Sequence, residues 1–110
     1  MARIVPDDRV EHALSWLRDS AHDMGEAKAE LVRTSHMIKV VKALQMKAHN
    51  DLSAAKAEVE ALASQQYMDA LLEDAKAAGK YEQLKALREA AAATIEAWRT
   101  ESSNYRSMKI

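Results

Sequence analysis

The sequence predicts an all-α protein: a long antiparallel helical hairpin of two long helices plus one short helix after the turn, completed into a bundle by dimerisation. Three observations predict it. Apolar residues recur every three or four positions, first through Val10, Leu14, Leu17, Ala21, Met24, Leu31, Ile38, Val41 and Ala48, then through Leu71, Ala75, Ala78, Leu84, Leu87, Ala91, Ile95 and Trp98. That spacing lines one face of a helix. Only 2 Gly and 1 Pro interrupt 110 residues, so few positions force a helix to stop. Between the two periodic runs lies His49-Asn50-Asp51-Leu52-Ser53. Its Asn and Asp suit the conformations that close one helix and open the next.

Residues 1–6 read as an N-terminal arm ending at Pro6. Asp7 and Asp8 follow, where a helix start favours acids, and open a helix predicted over 7–49. Gly25 is its candidate bend. A single Gly costs about 1 kcal/mol relative to Ala, and the helix formers Glu26 to Leu31 follow directly, so one long helix is expected. A short helix is predicted over 53–63. Ser64-Gln65-Gln66-Tyr67 then resembles a capping box, with Tyr67 in the place of the acid or amide. The apolar register slips between Leu62 and Met68, which predicts a break at 62–66. The last helix is predicted over 65–104, with Gly79 its weakest point. The Ala90–Ala93 run favours close helix contact. Ser102, Ser103 and Asn104 suggest fraying into a tail, 105–110. The whole of 1–110 reads as a single helical domain.

Phe is absent and aromatics make up 5% of the chain, so Leu, Ala, Met, Val and Ile must build the core. At about 25 cal/mol per Å² of buried apolar surface, an alanine seam contributes little per residue. Self-association or a partner is therefore predicted to finish the core, with a homodimer favoured.

The formal net charge is −1, which gives no global pull toward nucleic acid. The distribution is uneven. From Lys28 to His49 five bases (Lys28, Arg33, Lys39, Lys42, Lys47) face one acid, Glu30. From Asp51 to Ala97 nine acids outnumber five bases, and the last thirteen residues carry Arg99, Arg106 and Lys109 against Glu101. Antiparallel helices would set these opposite charges side by side. The alternative is a basic surface for phosphates. Cysteine is absent, which excludes disulfides and Cys-based metal sites. No leader-like start and no apolar run of about 20 residues is visible, so a reducing cytoplasm and no membrane are expected.

The residues that might carry chemistry point away from catalysis. His12, His22, His36 and His49 form no i, i+4 pair of the kind that clamps zinc. Asp19, His22, Asp23 and Glu26 share a helix face, but a di-metal bundle needs a second acid-x-x-His motif, and none follows. A solvated polar face is the simpler reading. The two glycines are too far apart for a phosphate loop. The Met residues read as gap-filling core. No catalytic, cofactor or metal residue is expected. Trp16 and Trp98 fall at ends that a hairpin brings together, which predicts a shared apolar cluster. Trp98 also belongs to a stretch of aromatic, basic and amide groups that runs to Arg106 and could dock a protein or stack on bases.

The segment Tyr81 to Arg106 resembles a group of small phage and prophage proteins. Its Leu84-Lys85-Ala86-Leu87-Arg88-Glu89-Ala90-Ala91 leads into Ile95-Glu96-Ala97-Trp98-Arg99-Thr100. Many of those proteins end in an Ile/Val-x-x-Trp-Arg-Ser/Thr segment followed by Asn and Arg. Their Ser-Val-Ala-like turn and second Ser-x-Glu-Tyr start are matched in place by Leu52-Ser53-Ala54-Ala55-Lys56 and Ser64-Gln65-Gln66-Tyr67. The similarity spans roughly 27–106. Tyr105 and Ser107-Met108-Lys109-Ile110 depart from the more Arg-rich tail of the group. The small secreted Trp-x-Gly hairpins share the size, but Asn50-Asp51-Leu52 stands where their motif lies.

The resemblance implies a phage-encoded accessory protein, associated with recombination or replication functions and placed in the host cytoplasm. The expected function is non-enzymatic: a helical interaction protein, coiled-coil in character, acting on a phage or host protein. One alternative is a DNA-binding accessory protein that uses the basic half of the first helix and the C-terminal Trp/Arg segment. Its contact residues would be Arg33, Lys39, Lys42, Lys47, Trp98, Arg99, Tyr105 and Arg106. Another is a virion scaffold or assembly helper.

Overall fold

The computed structural model describes residues 4–108. Every regular element is helical: α1 (Asp7–Asp19), α2 (Ala21–Ala48), α3 (Ala54–Leu62) and α4 (Gln65–Met108). The ends of these helices follow local chemistry. Asp7 and Asp8 fill the first turn of α1 behind Pro6, where acids complement the exposed N–H groups. The 49–53 turn forms where expected, with Leu52 N–H donating to the His49 carbonyl at 3.1 Å. Ser53 caps α3 by accepting from Lys56 N–H at 3.3 Å. Ser64 accepts from Tyr67 N–H at 3.1 Å and donates to the Ala61 carbonyl at 2.7 Å. One hydroxyl thus closes α3 and opens α4, at the break expected over 62–66.

Two boundaries differ from the sequence reading. The helix expected over 7–49 is two helices, and the interruption is at Ser20, not at Gly25. Gly25 lies inside α2 with an ordinary helical sign of φ. Ser20 is buried, and Arg88 reaches it from α4 at 2.7 Å while also donating to the Leu17 carbonyl at 2.7 Å. The break thus falls where a side chain of α4 contacts the helix, and not at the glycine. The second difference is at the C-terminus: α4 does not fray at 102–104 but continues to Met108. Its last turns are engaged, since Glu101 accepts the N–H groups of Ile4 and Val5 at 2.9 and 3.0 Å. The arm and tail expected at 1–6 and 105–110 fall partly outside the described residues, at 1–3 and 109–110.

The chain forms two compact units. The first contains residues 1–24 and 83–110, and within its described part α1 runs antiparallel to the end of α4. Ile4 and Val5 meet Glu101, Asp7 meets Trp98, and Leu17 and Ser20 meet Arg88. Among the less exposed positions, a three- and four-residue stripe runs through Val10, Ala13, Leu17, Ser20 and Met24 on one side, and through Leu84, Arg88, Ala91, Ile95, Trp98, Ser102 and Tyr105 on the other.

The second unit contains residues 25–82: most of α2, all of α3 and the start of α4. Its inner positions on α2 are Ala27, Leu31, Thr34, Ile38, Val41 and Gln45; on α4 they are Tyr67, Ala70, Asp74, Ala77 and Tyr81. Asp74 accepts from the hydroxyls of Thr34 and Ser35 at 2.8 and 2.9 Å. Lys28 sits 5.0 Å from the centre of the Tyr81 ring, a cation–π approach. The order of these pairs makes α2 and α4 antiparallel here too. Ala57 and Ala61 of α3 are buried, and Glu58 accepts from Lys42 of α2 at 3.0 Å.

The observed stripes correct the expected seam. Leu14, Leu71 and Leu87 are exposed, as are Ala21, Ala48 and Ala75. Alanine fills the core instead, through Ala13, Ala27, Ala57, Ala61 and Ala77 with Val10. In the Ala90–Ala93 run only Ala91 is partly covered. Small side chains let helix backbones approach closely, and a leucine on the neighbouring stripe is then left outside.

Candidate functional site

The second unit carries a groove of about 330 Å³ between α2 and α4. Buried Thr34 and half-buried Val41 and Ala70 form its floor. Arg33 and Met37 stand exposed on the α2 side, and Gln66, Asp69 and Glu73 on the α4 side. The geometry follows from helix spacing. Arg33, Met37 and Val41 are four apart on one face of α2, and Gln66, Ala70 and Glu73 are four and three apart on α4. The exposed apolar side chains Val40 and Leu44 continue the α2 edge.

The α2 edge carries Arg33, and the α4 edge carries Asp69 and Glu73. Arg33 donates to Glu30 through two nitrogens, at 2.6 and 3.0 Å. Those hydrogen bonds hold the Glu30 carboxyl below its ordinary value, aided by the charges of Arg33 and Lys80 and opposed by slight desolvation. The same bond and the charge of Glu30 raise Arg33, with Glu73 of α4 adding to the effect. The two helices therefore present opposite charges to each other at this level. A second surface hollow, of about 350 Å³, on α3 and the turn before it, is lined by Leu52, Ala55, Lys56, Val59 and Glu60.

The eight residues singled out in the sequence divide between the units. Arg33, Lys39, Lys42 and Lys47 belong to the second; Trp98, Arg99, Tyr105 and Arg106 belong to the first. Arg33 borders the groove. Lys42 is bonded to Glu58, and Lys39 and Lys47 are exposed on α2. Trp98 is half-buried, and its indole N–H donates to the Asp7 carboxylate at 2.8 Å. Arg99 pairs with Glu96 at 3.4 Å. Tyr105 is half-buried and Arg106 exposed, near the end of α4. Trp16 and Trp98 both lie half-buried in the first unit.

Asp19 bonds Arg18, and among the described residues no group of three or more His, Asp or Glu is placed to hold a metal ion. No helix of the described residues is long and apolar enough to cross a membrane. Sequence reasoning missed Asp74, Arg88 and Glu101, the acceptors and donors that tie helices together. A signal existed: Asp74 and Arg88 stand fourteen residues apart at positions of α4 whose helical neighbours are alanine, tyrosine and leucine. No protein family, curated protein or solved structure matches the chain.

Proposed function

We propose that the protein is a non-enzymatic helical interaction protein that acts through protein–protein contacts, in the first place with a second copy of itself. The observation that carries this reading is the apolar surface of the second unit. Val40, Leu44, Val59 and Leu72 are 45%, 58%, 64% and 57% exposed, while no large side chain among the described residues is fully buried. Apolar side chains left in water lower the free energy when a partner covers them. The Trp98-Arg99 segment, through its likeness to small phage and prophage proteins, suggests phage recombination or replication machinery as the source of other partners.

The DNA-binding alternative is the weaker reading. Arg33, Lys42 and Arg99 already pair with acids of the same chain, so each would have to exchange a carboxylate for a phosphate before it could displace a counterion from the nucleic acid. Light scattering behind size exclusion, over a concentration series, should give a mass above the 12.3 kDa of one chain. A pull-down from infected or lysogenic cells should retain a protein whose binding is lost on Leu44→Glu. A monomer that captures nothing would overturn the reading. A salt-sensitive shift with DNA would replace it with the alternative.

A further inference from the structure

We propose that the groove between α2 and α4 is the self-association interface, closed by the same groove of a second copy across a two-fold axis parallel to the helices. The proposal rests on the reading of the protein as one that pairs with itself. It names the surface and the symmetry, which that reading leaves open.

The groove has the parts of a dimer contact. Its floor is apolar at Val41 and Ala70, Met37 stands beside it, and Arg33, Asp69 and Glu73 border it. Met37, Val40 and Leu44 together offer an exposed apolar edge at four- and three-residue spacing. A two-fold interface must be self-complementary, and the charge on the two edges decides which axis achieves that. An axis parallel to the helices keeps every residue at its own level and exchanges the edges. It sets α2 of one copy over α4 of the other, so Arg33 meets Glu73 of its mate, twice, with Asp69 further along the same acidic edge. An axis across the helices sets α2 on α2, which gathers the basic residues of that helix against one another. Like-charge contacts of that kind cost several kcal/mol at an interface. The first arrangement is the one the charges allow, and it buries Met37, Val40 and Leu44 in the same step.

Charge swapping tests this directly. Arg33→Glu and the double variant Asp69→Lys with Glu73→Lys are each made in the full chain, with circular dichroism confirming helicity. Each alone replaces two attractive contacts by two repulsive ones, and should raise the dimer Kd about tenfold or more. Mixed together they should pair again, because the new acid of the Arg33→Glu chain then faces the lysines of the double variant. Sedimentation of the mixture, with one variant labelled, reads the heterodimer. Met37→Glu, on the α2 edge of the groove, should leave a helical monomer. If the variants dimerise like the parent chain, or the mixture fails to pair, the proposal is overturned while self-association by another surface survives. If the parent chain is monomeric at every concentration, the proposal is overturned and the pull-down alone decides the wider reading.

Discussion

Arg88 occupies a position where a helix pair ordinarily carries leucine, and its guanidinium ends on two oxygens of the facing segment, the Leu17 carbonyl and the Ser20 hydroxyl. Ser20 is 6% exposed, so that hydroxyl has little access to water. Arg88→Ala should cost about 1–3 kcal/mol, the penalty of leaving buried polar groups without their charged partner. Thermal unfolding would show the loss, and amide exchange should quicken first around Ser20. At Glu30 the direction of the pKa shift sets the expectation. A carboxyl held low by Arg33 adds its stability above the unfolded-state value and gives it up as pH falls through the folded one. Glu30 is fully exposed, so solvent screens the pair and the contribution is small. NMR titration should find Glu30 below the ordinary glutamate range and returned to it by Arg33→Gln.

Helix boundaries were legible wherever a capping or turn residue marks them. Asn50 and Asp51 announce the turn after α2, and Ser64 announces the start of α4. The Ser20 interruption was not legible, because Arg88 lies 68 residues away in sequence and no local pattern records that it arrives there. Within the first unit the three- and four-residue spacing runs on unbroken from Val10 through Ser20 to Met24, so the interruption leaves the inward face there in phase. The two glycines, read as a candidate bend and a weak point, interrupt neither helix. Gly25 and Gly79 sit within helices, with open space where a Cβ would stand and no positive φ. Gly25→Ala and Gly79→Ala should each raise stability by about 0.5–1 kcal/mol, through the lower entropy of the unfolded chain and better helix propensity. Chemical denaturation midpoints check this, and a fall would mean that a bend at glycine matters after all.

For the molecule as a whole, the outstanding property is how little each unit encloses. Among the described residues the buried apolar ones are Val10 and five alanines, while several leucines and valines, Leu44, Leu72 and Val59 among them, stay in water. If association covers them, the melting temperature should rise with protein concentration, as mass action requires when the folded chains are the ones that pair. A midpoint independent of concentration would count against that linkage. The all-helical character, the turn after α2 and the break before α4 were determined by sequence alone, because few helix breakers are present and spacing and capping act within a few residues. Which stripe faces inward was decided only by tertiary structure. Alanine appears on several faces of these helices, so apolar spacing fits more than one phase. The choice fell to the phase in which backbones approach over alanine while Ser20, Thr34, Asp74 and Arg88 find partners across the helix pairs. The charges picked out in the sequence were divided in the same way: Arg33, Lys42 and Arg99 each pair with an acid of the same chain, and Arg33 also borders the groove.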